Sequence, residues 1–61
     1  MKTVVVTCRG VYENNRVKFV GITVRNAKNE EDAKRIAVNT CQRNMPSAIF
    51  WVAEFVEEDE V

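Results

Sequence analysis

Residues 29–46 read NEEDAKRIAVNTCQRNMP, and this stretch decides the fold. Asn29 can cap a helix with its side-chain oxygen, and Asp32, three positions on, is a shorter version of the capping-box acid. Glu30, Glu31 and Asp32 place three acids at the positive end of the helix dipole, and Arg43 suits the negative end. Ala33, Ile36, Ala37, Thr40 and Cys41 recur at three-four spacing, one face of a helix, with Lys34, Arg35, Asn39 and Gln42 on the other side. Asn44 can close the helix and Pro46 prevents its continuation.

The sequence on either side reads as strands. In residues 3–9, Val4, Val6 and Cys8 point one way, and Thr3, Val5, Thr7 and Arg9 the other. Glu13-Asn14-Asn15 is a turn signal, because Asn tolerates left-handed backbone angles. Residues 16–25 form a second strand with Val17 and Phe19 on one face and Val20, Ile22 and Val24 on the other. The apolar phase slips beside Gly21, which suggests a bulge or bend there. Beyond the helix, residues 48–56 form a third strand. Simple alternation puts Ile49, Trp51, Ala53 and Phe55 on one face and Phe50, Val52 and Val56 on the other, the latter interrupted by Glu54. Residues 57–61, Glu-Glu-Asp-Glu-Val, read as a frayed acidic tail.

The expected fold is therefore α+β: a single ββαβ domain over residues 1–56, with the acidic tail after it. A right-handed crossover that skips the first strand gives a three-stranded antiparallel sheet in order 2-1-3, with one helix on one face.

The bulk numbers bound what such a chain does. Sixty-one residues make one domain at most, and a chain this short buries only about 60% of the surface its unfolded form exposes. Apolar residues at 46% and charged residues at 30%, with two Gly and one Pro, argue against wholesale disorder. No apolar run approaches the roughly 20 residues needed to span a bilayer, and the start is too short for a signal-peptide core. The expectation is a cytoplasmic protein with no membrane partner, in the host cytoplasm if the chain is viral. Cys8 and Cys41 are too few and too far apart for a metal site, and no His completes one. They read as two buried reduced thiols, since a reducing cytosol disfavours a disulfide.

Catalysis has little to work with. The usual imidazole base is missing, and a Cys nucleophile lacks its partner. There is no GxGxxG, no P-loop and no carboxylate pair in an evident cleft. The expectation is no enzyme, no cofactor and no small-molecule substrate.

The net charge is zero, yet the charges are segregated. Lys2, Arg9, Arg16, Lys18, Arg25 and Lys28 stand in residues 1–28 against Glu13 alone, and Glu54, Glu57, Glu58, Asp59 and Glu60 stand in residues 44–61 with no base. This is either a clue to partners or internal pairing between neighbouring strands.

A lone helix covers one sheet face, so the other is bare and carries some of Val5, Phe19, Phe50, Val52 and Val56. A contiguous exposed apolar patch often marks an interaction site. Both outer strands are also edges that invite pairing. Arg16, Lys18 and Arg25 blunt the second strand, whereas the third carries only Glu54 in its middle. The candidate partner-binding residues are Glu30, Glu31, Asp32, Phe50, Val52, Glu54 and Val56. Arg9, Arg16, Lys18 and Arg25, with Tyr12 and Phe19 near them, form a basic hairpin that suits nucleic acid instead; the neutral net charge and the acidic tail argue against it.

A strand hairpin, a helix of the form N-E-E-D-A-K-R-I-A, the loop Met45-Pro46-Ser47-Ala48 and a strand Phe50-x-Val52-x-x-Phe55-Val56 follow one another here. This layout resembles the small podophage proteins that inhibit host RNA polymerase, over residues 16–56. The resemblance implies a helix on a three-stranded antiparallel sheet, and an acidic strip at Glu30, Glu31 and Asp32 that docks on the polymerase. Two features depart from that pattern. Lys34 and Arg35 sit where further acids would extend the strip, and the last strand carries Glu54 and Glu57 in place of arginines.

Three functional expectations result. The first is a protein-binding inhibitor or adaptor acting on a host protein or complex, such as RNA polymerase or a defence system. The second is a homodimeric interaction module joined through the third strand or the bare faces. The third is a nucleic-acid binder using the basic hairpin.

Overall fold

The alternation of Val4, Val6 and Cys8 with Thr3, Val5, Thr7 and Arg9 becomes the middle strand of a three-stranded sheet in the computed structural model, which describes residues 3–59. The described elements are β1 (Thr3–Val11), a 3-10 turn (Glu13–Asn15), β2 (Val17–Arg25), α1 (Glu30–Asn44) and β3 (Phe50–Asp59). The order is β2-β1-β3, with both pairings antiparallel. This is the expected α+β arrangement.

The turn forms where the asparagines are: Asn14 and Asn15 adopt φ of 68° and 61°, left-handed angles that Asn tolerates better than most residues. The backbone N–H of Tyr12 donates to the carbonyl of Arg16 across the loop at 2.7 Å. The helix starts as its sequence indicates. The Asn29 side chain accepts from the N–H of Asp32 at 2.8 Å, and the Asp32 carboxylate accepts from the N–H of Lys28 at 3.2 Å. At the far end the Met45 N–H donates to the Cys41 carbonyl.

Along α1, Ala33, Ala37 and Cys41 are fully buried four residues apart. Their small size lets the helix lie close on Val4, Val6, Cys8, Val24 and Trp51, while Ile36, Val38 and Met45 fill the margins. Trp51 closes the end of this core. Its indole N–H donates to the Met45 carbonyl at 3.2 Å, and Tyr12 meets it edge to face at 6.3 Å. Gly10 lies opposite Trp51 in the sheet, and a Cβ there would stand 2.7 Å from the indole ring. The ring occupies the place where a side chain would be.

Three expectations about the strands are corrected. Gly21 carries no bulge: β2 pairs with β1 in unbroken register from Val17 to Arg25, and Gly21 lies opposite Thr7. The bulge lies on β3, where Phe55 pairs with Thr7 and Ala53 with Cys8, leaving Glu54 as the extra residue. That residue reverses the phase, so Phe55 joins the face away from the helix and Val56 packs against the core. Finally, β3 does not end at residue 56. Glu57, Glu58 and Asp59 pair with Val5, Val4 and Thr3, so the acidic run is strand as far as Asp59. Glu60 and Val61, the rest of the expected tail, lie outside the described residues.

Candidate functional site: the open face of the sheet

With α1 on one face, the other is built from alternate residues of all three strands. Val11 lies between Val17 and Phe50, Arg9 between Phe19 and Val52, Thr7 between Gly21 and Phe55, and Val5 between Thr23 and Glu57. Four of these side chains are held in water to an extent unusual for their type. Phe19 is 60% exposed, Phe55 58%, Val17 49% and Phe50 46%. Together they expose on the order of 400 Å² of apolar surface, within the size range of the largest patches on ordinary monomers, which are often functional.

The bulge shapes this face. A regular strand would send Phe55 to the helix side and Val56 outward. The extra residue instead gathers Phe50, Val52 and Phe55 on one side, together with the Glu54 carboxylate. That carboxylate approaches Arg9 Nε at 3.7 Å, with both side chains about 40% exposed. Arg9 Nε is buried and makes no hydrogen bond. A half-exposed pair at this distance adds little to stability. Its effect is to place a neutralised polar centre among the phenylalanines.

The sequence-derived candidates divide between the two sides of the molecule. Phe50, Val52 and Glu54 lie on the open face. Val56 does not; it is half-buried under the helix side of the sheet. Glu30, Glu31 and Asp32 start the helix, which packs on the opposite face, so they are not part of one surface with Phe50 and Val52. Two of these acids are already engaged. Glu30 pairs with Lys34 at 3.7 Å, and Asp32 binds the guanidinium of Arg35 as well as the Lys28 N–H. The Arg35 contact, followed by the Lys28 N–H, holds the Asp32 carboxyl below its ordinary value.

The basic candidates are not brought into one stripe. Arg9 and Arg25 lie on the open face, Lys18 pairs with Gly10 and so points to the helix side, and Arg16 sits beside the turn. Val17, Phe19 and Phe55 stand on the open face without being among the expected partner-binding residues. Phe19 was legible from the alternation of β2. Phe55 was not, because finding it requires locating the bulge, and the one available signal was a lone acid, Glu54, inside an apolar run.

Cys8 and Cys41 are free, fully buried and close to each other between sheet and helix. Burial first, and the neighbouring Cys41 second, push the Cys8 thiol up to about 12, which keeps it protonated and unreactive at neutral pH. Among the described residues no group of three or more His, Cys, Asp or Glu is placed to hold a metal ion, and no helix is long and apolar enough to cross a membrane. Compared with known proteins, the chain matches no family model, no curated protein and no solved structure.

Proposed function

We propose that this chain is a protein-binding module, without catalysis of its own, that docks the open face of its sheet onto another polypeptide chain. One observation carries the reading: Phe19, Phe50, Phe55 and Val17 stand together in water on a face that no other described element covers. An antiparallel sheet tolerates one wet face, but that face is ordinarily polar. Exposed aromatic rings on a rigid sheet are also the residue type from which the energetic centres of interfaces are made. The size and layout fit the small host-takeover inhibitors that the sequence resembles. The acidic helix start supports that comparison less well, since its carboxylates already serve the helix.

Photo-crosslinking tests the proposal. A photoreactive phenylalanine analogue at position 19 or 55 should capture a polypeptide, while the same analogue at the exposed Gln42 of the helix should not. Phe55→Ser should abolish capture from position 19 with the far-ultraviolet dichroism unchanged. Equal capture from positions 42 and 55, or capture that survives Phe55→Ser, contradicts the reading.

A further inference from the structure

We infer that the occupant of the open face is a second copy of this chain, packed sheet to sheet about a two-fold axis that runs along β1. The inference rests on the docking reading above and names the partner of that same face.

The geometry of the rows points to it. Each β1 residue on this face is flanked by two residues that differ in size or polarity: Gly21 and Phe55 around Thr7, Phe19 and Val52 around Arg9, Val17 and Phe50 around Val11. A two-fold axis along the middle strand keeps each row at its own level and exchanges β2 for β3. On the two outer strands every large side chain then meets a smaller one. Phe55 of one copy falls over Gly21 of the other, and Phe19 falls over Val52. Gly21 is a true notch, since a Cβ there would meet only Val5 Cγ1, at 3.9 Å, and it is open to solvent. Such alternation lets two layers interdigitate at the usual spacing of about 10 Å. Because sheets pack within about 30° of parallel, the closest fit is expected in the rows around the crossing point, at Thr7 and Arg9.

The charged groups of the face are spread along it: Arg25 lies in the Thr3 row, Glu57 in the Val5 row, and Glu54 at the bulge beside Arg9. The two Arg9 guanidiniums meet near the axis, each with a Glu54 beside it to neutralise it. A two-fold axis across the strands fits less well, because it lays the charged Arg25 and Glu57 end over Val17 and Phe50. Edge pairing is also disfavoured. Lys18 and Arg25 blunt β2, while Glu57, Glu58 and the bulge at Glu54 blunt β3.

The areas fit a weak, specific dimer. The chain exposes 4602 Å², against roughly 4,000 Å² for a compact monomer of its mass. Three strands of nine residues present roughly 400 Å² in projection per copy. The pair therefore buries on the order of 1,000 Å² of accessible surface, at the lower bound for specific association, so micromolar rather than nanomolar affinity is expected. The contact is isologous and closes on itself, and it leaves both helices facing outward.

Sedimentation equilibrium of the whole chain, from about 1 µM to about 300 µM, should show the mass rising from 7.0 kDa to twice that value. Gly21→Leu should weaken association by about tenfold or more by filling the notch, with the fold intact by dichroism. A chain that stays monomeric at the highest concentration overturns the dimer, as does a Gly21→Leu protein that associates like the parent. The docking reading fails separately. A monomer that still crosslinks another polypeptide from position 55 removes the dimer alone, whereas a monomer that crosslinks nothing removes both.

Discussion

The two faces of the sheet are made from similar apolar residues and behave as opposites. On the covered face the middle of the helix meets the sheet through small residues, Ala33, Ala37 and Cys41 against Val4, Val6 and Cys8, with Trp51 closing the end of the core, all nearly inaccessible. On the open face the residues are larger, and Phe19, Phe50 and Phe55 remain about half exposed. Hydrophobicity alone therefore does not say which face of a thin sheet becomes the core. Size contributes, because a helix approaches a sheet closely where both surfaces are small, and the Trp51 ring is accommodated at the end of the core over Gly10. The phenylalanine rings are left for whatever packs next.

Mutations should separate the faces, and they are best compared at low micromolar concentration, where self-association is weakest. The largest effect is expected at Trp51, which closes the core beneath the helix. Trp51→Ala should cost about 3–5 kcal/mol. For a chain of this size that is comparable to the whole stability, and urea titration should show the variant largely unfolded in water. The two glycines give the next contrast. Gly10→Ala drives a methyl into the Trp51 ring and should destabilise by about 1–3 kcal/mol. Gly21→Ala meets open space and should be neutral or stabilising by about 0.5 kcal/mol, since Ala suits a strand better than Gly does. Equal effects at the two positions would erase the distinction between the faces.

A pH titration probes the covered face through Cys8. Burial raises the folded-state pKa of Cys8 above its unfolded value of 9.0, to about 12. The stability contributed by the neutral thiol is therefore complete below pH 9 and declines as pH rises toward 12. Stability should fall with rising pH across that window, and Cys8→Val should reduce the fall. The smallest effect belongs to the open face. Val17→Thr, at a half-exposed position on the outer strand, should change monomer stability by less than about 0.5 kcal/mol. A loss of more than about 2 kcal/mol there would mean that the face is already packed in the isolated chain.

The helix was legible almost residue by residue, because its signals are local. Asn29, the first-turn acids and Pro46 act within a turn of where they stand, and the three-four spacing of Ala33, Ala37 and Cys41 names the buried stripe. The strand order also followed from connectivity, and β1 kept its alternation because it is paired on both sides. The candidate site was legible only in part. Phe50 and Val52 were placed on the open face by counting, while Phe55 and Val56 were exchanged, and the helix acids were joined to a surface from which the sheet separates them.

What the sequence determined by itself was the set of elements, their caps and the one-sided architecture, since propensity, capping and periodicity are properties of neighbouring residues. What only the tertiary structure decided was the facing of β3 beyond Ala53 and its extension to Asp59. A bulge is a mismatch of one residue between two strands, and the acids 57–59 are ordered by pairing with Val5, Val4 and Thr3 more than fifty positions earlier. Neither is encoded in the spacing along one segment, and the bulge sets Phe55 beside Phe19 and Phe50 on the side that the helix does not reach.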